Sequence, residues 1–153
     1  MSLKEQIEAD IKKAMLAREK DELRALRGIK SLILLAETEK GAQQALTSEA
    51  EVKLLVKAAK QRKDSAEIYA GQGRPDLEKV EKDELAVIER YLPKQLSEEE
   101  LIERIKVIIK NSGAQGPQDM GKVMGVATKE LAGLAEGKVV SFMVKSLLNP
   151  ANN

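Results

Sequence analysis

The chain contains no cysteine and no histidine. The first absence excludes disulfides and thiolate nucleophiles. The second removes the commonest zinc ligand and general base, so every Cys/His or Ser/His catalytic arrangement is ruled out. An enzyme made from this sequence would have to work with Ser, Lys, Asp, Glu or Tyr. Aromatic side chains are nearly as scarce, with two Tyr, one Phe and no Trp among 153 residues. A core must therefore be drawn from Leu, Ile, Val, Ala and Met, and ring platforms for stacking bases are disfavoured. No apolar run is long enough to span a bilayer. The opening MSLKEQIEADIKKAMLAREK carries charges at short intervals where a signal peptide would have an apolar stretch. The expectation is a cytoplasmic protein without membrane contact.

Neither sign of charge dominates, with 26 basic and 25 acidic residues and a net charge of +1. The distribution along the chain is less even. Residues 53–74 sum to +4, residues 1–52 to −1, residues 75–96 to −2 and residues 97–153 to zero. One basic segment therefore stands out.

Apolar residues recur at three- and four-residue spacing throughout, which predicts an all-α fold. A first helix over about residues 3–16 aligns Leu3, Ile7, Ile11, Ala14 and Met15. A second, over 21–40, uses Leu23, Leu26, Ile29, Ile33 and Ala36, with Gly41 as a left-handed stop. Ser48, with Glu51 three residues on, reads as the capping box of a third. Its line is Val52, Leu55, Val56, Ala59, Ala66 and Tyr69, ending at Gly71. Pro75 and Asp76 open a fourth, continued by Leu77, Val80, Leu85, Ile88 and Leu92 as far as Pro93. The stretch YLPKQLSEEEL is the best boundary, because a proline ends one helix and Ser97 with Glu100 caps the next. The expected organisation is an N-terminal domain of about four helices, residues 1–93, and a three-helix tail, residues 94–153. In the tail, Leu101, Ile105, Ile108 and Ile109 share one face, and Met120, Val123, Met124, Ala127 and Leu131 a second. Val139, Val140, Phe142, Met143, Leu147 and Leu148 fill a third helix, closed by Asn149 and Pro150.

Within GAQGPQDMGKVMG, Gly116 through Lys122 fits most of a phosphate-cradling loop, G-x-x-x-x-G-K-[ST]. The match fails chemically. The preceding LIERIKVIIKNSG has helical rather than strand spacing, and position 123 is Val where a magnesium ligand belongs. Asp119 would put a carboxylate in the cradle, and Pro117 removes an amide. Pro117 and Asp119 instead look like helix-start residues. Gly121 and Gly125 lie one helical turn apart, each at a cost of up to about 1 kcal/mol relative to Ala. Close approach of another helix is the expected compensation; the alternative is a smooth surface that admits a ligand backbone.

Other chemistry is thin. Ser31, Ser65, Ser97, Ser112, Ser141 and Ser146 occur singly on helices or at caps, without the strand-turn that exposes a nucleophile. Glu98, Glu99 and Glu100 suit the positive end of a helix dipole, and consecutive helical residues diverge by about 100°, too far to converge on one ion. No catalytic residue, metal or cofactor is expected.

The segments KQRKDSAEIY, GRPDL, YLPKQLSEEEL, DMGKVMG and EGKVVSFMVKSLL resemble the GatB/YqeY family over nearly the whole chain, in the spacing of its stand-alone members. This family also includes the tail of the B subunit of the glutamine-dependent aspartyl/glutamyl-tRNA amidotransferase. The resemblance implies a helical domain followed by a helical tail, and a role near transamidation of misacylated tRNA, where the tail contacts the outer corner of the tRNA. The family's label of glutamine-dependent carbon–nitrogen ligase belongs to the larger enzyme, whose kinase and transamidase part precedes the tail and has no counterpart here.

With that resemblance, Lys122 and Lys129 become candidate tRNA contacts, seven residues and about 10 Å apart on one helix face. Lys138 and Lys145 repeat the spacing on the last helix. A second-choice phosphate surface is Lys53, Lys57 and Lys60 on one stripe with Arg62, Lys63 and Arg74 nearby, unless the arginines pair with Glu84 or Glu89. The competing reading is a protein–protein adaptor that docks on an amidotransferase or an aminoacyl-tRNA synthetase. Its groove would be lined by Met120, Gly121, Met124 and Gly125, although methionines at helical spacing are more often plain core.

Overall fold

The computed structural model describes residues 1–39 and 44–149. Among these every regular element is helical: α1 Leu3–Ala17, α2 Lys20–Thr38, α3 Ser48–Gly71, α4 Pro75–Glu89, α5 Glu98–Ser112, a 3-10 turn Pro117–Asp119, α6 Met120–Glu130 and α7 Gly137–Leu148. The chain divides into two compact units, Met1–Leu92 and a second from Pro93 onward. Lys40, Gly41 and Pro150, expected to end or close helices, lie outside the described residues. No helix among the described residues is long and apolar enough to cross a membrane.

In the first unit α1 packs on α2, and α4 packs on both α2 and α3. The core is Ile7, Leu26, Ile29, Ile33 and Leu55, with Ala25, Ala58 and Ala59 where helices come close. Among the described residues no polar or charged one is buried in it, and Tyr91 and Leu92 pack against its edge. Met15 and Val56, expected on the buried faces, are exposed. Each sits one residue past a better-placed core position, Ala14 or Leu55, and the rotation of about 100° per residue turns it to solvent.

Helix ends account for much of the local structure. Ser2 and Glu5 form a reciprocal capping box at α1. At α3 the cap is Thr47, one residue before the expected Ser48; its hydroxyl accepts the Ala50 N–H at 3.1 Å. Glu51 is thereby freed from capping and accepts the Leu3 N–H at 2.6 Å. Its carboxylate thus satisfies an orphan donor of α1 while lying in the first turns of α3. Pro75 occupies the first turn of α4 as expected. After Glu89 the chain tightens through Tyr91 N–H to Ile88 C=O at 3.0 Å, carrying Leu92 to the core before Pro93.

Ion pairs cross between the helices of this unit: Lys4 with Glu37 at 3.2 Å, Lys30 with Glu8 at 3.5 Å, and Arg90 with Glu22. Each is partly exposed and contributes little alone. The Tyr91 hydroxyl donates to the Asp10 carboxylate. Burial, then that carboxylate, pushes the phenol well above its ordinary pKa and keeps the proton on the donor.

The second unit is built on Ile105, Val123, Leu131 and Val144, joined by Leu101, Ile108, Ala127, Val140 and Leu148. Ser97 caps α5 as expected, its hydroxyl accepting the Glu100 N–H at 3.2 Å. The Glu100 carboxylate accepts from the same hydroxyl at 3.0 Å rather than from the backbone, so the box is not reciprocal. Gly113 (φ 70°) supplies the left-handed residue that ends α5. Leu96 N–H to Leu134 C=O (2.9 Å) and Gln95 Nε2 to Gly133 C=O (2.7 Å) stitch the start of this unit to the turn after α6.

Arg18, between α1 and α2, is the one non-glycine residue with positive φ among the described residues, at 58°. It closes α1 by donating its N–H to Met15 C=O, while the Glu19 N–H reaches Ala14 C=O. A side chain in this conformation is strained by about 1 kcal/mol or more. Arg18→Gly should therefore raise the stability of the first unit by roughly 0.5–1 kcal/mol, read as an upward shift of the thermal midpoint.

Candidate functional site

The phosphate-loop stretch is a helix start. What precedes it is α5, not a strand. Gly116 is extended and Pro117 opens the 3-10 turn that runs into α6. The Asp119 carboxylate folds back to accept the Gln115 N–H at 2.9 Å, which puts a negative charge beside the stretch where a phosphate would have to sit.

The buried line of α6 is Val123, Ala127 and the following Leu131, flanked by half-buried Met120 and Met124, which pack on the core of the second unit. At about 100° per residue this line sets Lys122 and Lys129 almost diametrically opposite, on the solvent face. Both are exposed. On α7 the core contribution comes from Val140, Val144 and Leu148. Lys138 and Lys145 are exposed on the other side. None of the four lysines forms an ion pair among the described residues. The structure thus places each lysine pair on one helix face.

Two expectations fail here. Gly121 and Gly125 are exposed, and a Cβ added at either would meet nothing within 4 Å. The second core is completed on the opposite side of α6, so no helix of the described chain approaches the glycines; they form an open strip of backbone beside Lys122 and Lys129. Phe142 and Val139, expected in the core, are 69% and 39% exposed. Helix α7 is apolar over most of its circumference, and the Val140–Val144–Leu148 line, with Met143 and Leu147 beside it, claims the interior. Val144 was the missed signal, since it extends one four-residue series across the whole helix.

The second-choice surface separates into two groups. Arg62 pairs with Glu81 at 2.9 Å and Glu84 at 3.1 Å across to α4. Arg74 pairs with Asp76 at 3.1 Å, a hydrogen bond that holds the Asp76 carboxyl below its ordinary pKa. Lys63 is half-buried and engaged by its surroundings. Lys53, Lys57 and Lys60 remain exposed on the outer stripe of α3 without ion pairs among the described residues, with exposed Asp64 continuing the same stripe.

Elsewhere the surface is less suited to anions. A cleft of about 640 Å³ has Glu5, Glu8, Glu37 and Glu51 in its wall, with Lys4 already paired to Glu37. Glu98, Glu99 and Glu100 are all exposed on the first turn of α5. Among the described residues no three acidic side chains come together as a metal site requires. Ser112 is committed to the Ile109 carbonyl at 2.9 Å.

These features define an all-helical protein of two small units whose last two helices carry lysines without ion pairs among the described residues. The chain belongs to the Yqey-like protein family, which it matches over residues 4–148. It is also similar to altered inheritance of mitochondria protein 41, mitochondrial, of Clavispora lusitaniae. The two share 33% identity over 147 residues, covering 92% of this chain and 84% of that protein.

The open space at Gly125 has a measurable consequence. Gly125→Ala should stabilise the second unit by up to about 1 kcal/mol through helix propensity alone, checked by thermal or denaturant unfolding. A loss of stability would mean that a helix does pack against this strip.

Proposed function

We propose that the protein is a non-catalytic accessory of tRNA-dependent amidotransfer that binds tRNA through α6 and α7. The observation that carries this reading is the set Lys122, Lys129, Lys138 and Lys145, all exposed and without ion pairs among the described residues. α7 itself contains no acidic residue. Lysines left without carboxylate partners are disposed to neutralise phosphates and release their counterions. The side-chain-free strip at Gly121 and Gly125 lets a sugar–phosphate backbone come close to the helix beside them. The resemblance of DMGKVMG and EGKVVSFMVKSLL to the tail of the amidotransferase B subunit supplies the RNA in question. In this reading glutamine-dependent ligation belongs to the larger enzyme, and the chain works in the cytoplasm.

The open glycine strip also favours a second reading, a helical adaptor docking on an amidotransferase or an aminoacyl-tRNA synthetase. Met120 and Met124 contribute less to such a surface than their sequence positions imply, because both pack on the core.

Salt separates the two. Labelled bulk tRNA titrated at several salt concentrations should bind with an affinity that falls steeply as salt rises. Replacing all four lysines by Ala should flatten the log–log salt slope by roughly 3, at about 0.7–0.9 for each phosphate no longer neutralised. Absence of binding at about 50 mM salt, where attraction is strong, would end the tRNA reading. Binding that ignores the four substitutions would move the site to Lys53, Lys57 and Lys60.

A further inference from the structure

Phe142 is the only phenylalanine in the chain, and it stands in solvent at 69% exposure. It is more exposed than Val107, Val126 or Val139, the other large apolar side chains that the second unit leaves outside. Its position on α7 is specific: Lys138 lies four residues before it and Lys145 three after it. The i, i+4, i+7 spacing puts the three on one helix face over about 10 Å. The interior side of the same helix is already filled by Val140, Val144 and Leu148, so the ring has no packing duty.

We propose that Phe142 is a stacking platform for one unpaired base, with Lys138 and Lys145 neutralising the phosphates on either side of that nucleotide. The inference rests on the RNA-binding reading above and adds the class of RNA: one presenting an unstacked base rather than a continuous duplex. In a duplex the faces of the bases are hidden against each other, whereas a looped or bulged base offers a π-face to a ring. Charge decides the occupant. A ring bracketed by two cations, on a helix without a single acid, complements a polyanion with one exposed aromatic group. A lipid surface calls for a broad apolar helix face, and the broad apolar face of α7 is the one buried in the core.

The test uses the full chain and two RNA duplexes of similar length at about 50 mM salt, one fully paired and one carrying a single bulged 2-aminopurine. The wild-type protein should prefer the bulged RNA and quench its 2-aminopurine fluorescence by stacking. Phe142→Ala should bind the bulged RNA about 5- to 150-fold more weakly, the range expected for loss of one base–aromatic stack. It should abolish the quenching, yet leave affinity for the paired duplex and the salt slope unchanged; Phe142→Trp should restore both preference and quenching. Because the ring is exposed, the thermal midpoint of Phe142→Ala should match wild type, which excludes unfolding as the cause. If Phe142→Ala binds the bulged RNA as wild type does while the four-lysine variant loses it, the stacking role is wrong and the RNA-binding reading survives. If the wild type binds neither RNA the stacking role falls, and the RNA-binding reading falls with it if bulk tRNA also goes unbound at that salt. Loss of sedimentation with phosphatidylserine vesicles in Phe142→Ala, with RNA binding untouched, would also overturn the proposal in favour of a membrane contact.

Discussion

Burial of aliphatic helix faces is the constraint on which this protein depends, and the near-absence of rings sharpens it. Two small cores draw on one pool of Leu, Ile, Val and Ala, and neither can fill space with a Phe or a Trp. Ala25, Ala58 and Ala59 in the first core and Ala127 in the second let backbones come together, so that short side chains such as Ile7, Leu55, Val123 and Val144 close the gaps. Close packing of this kind tolerates no unpartnered polar group, and among the described residues none is buried. Titratable groups are consequently confined to the surface or its margins. Any interaction with a ligand has to be sought there.

On that surface the charges follow different rules in the two units. Counted along the chain, residues 53–74 are the most basic segment, at +4. In space much of that excess is answered from outside the window, by Glu81 and Glu84 at Arg62 and by Asp76 at Arg74. The tail sums to zero from residue 97 onward, yet its acids are gathered on the first two turns of α5, from Glu98 to Glu103, and at Asp119, Glu130 and Glu136. Its lysines on α6 and α7 have no ion partner among the described residues. Net charge per segment is therefore a poor guide to local potential, because packed helices bring residues together that a running sum keeps apart.

The helices were legible in the sequence because their termini carry unambiguous chemistry. Pro75 at the start of α4 and Ser97 before α5 have one place each to go. The cap of α3 was not, since Thr47 and Ser48 are both competent, and Glu51 completes a box with Ser48 only if it has no better partner. The Leu3 N–H, 48 residues away, is that partner, and spacing cannot reveal it. The face of α7 was ambiguous for another reason. With apolar residues nearly all round, the helix has several possible interior lines, and the choice is made by what α5 and α6 present to it. The lysine faces were legible, because a residue opposite a strong apolar line has no alternative to solvent.

The exposed glycines and the exposed phenylalanine share one property: none of them is explained by the packing of the described chain. Gly121 and Gly125 give up helix propensity in exchange for a close approach that the described chain does not make. Phe142 keeps its ring in water although a polar side chain would fold as well. Alanine at the first two positions would suit the fold alone better, and a polar residue at the third would suit it equally. All three lie on the two helices whose lysines lack ion partners among the described residues. Backbone laid bare, a ring held out and cations left unmatched are three separate departures from what packing asks. The proposed RNA ligand, a polyanion with one base to stack, would meet all three at once.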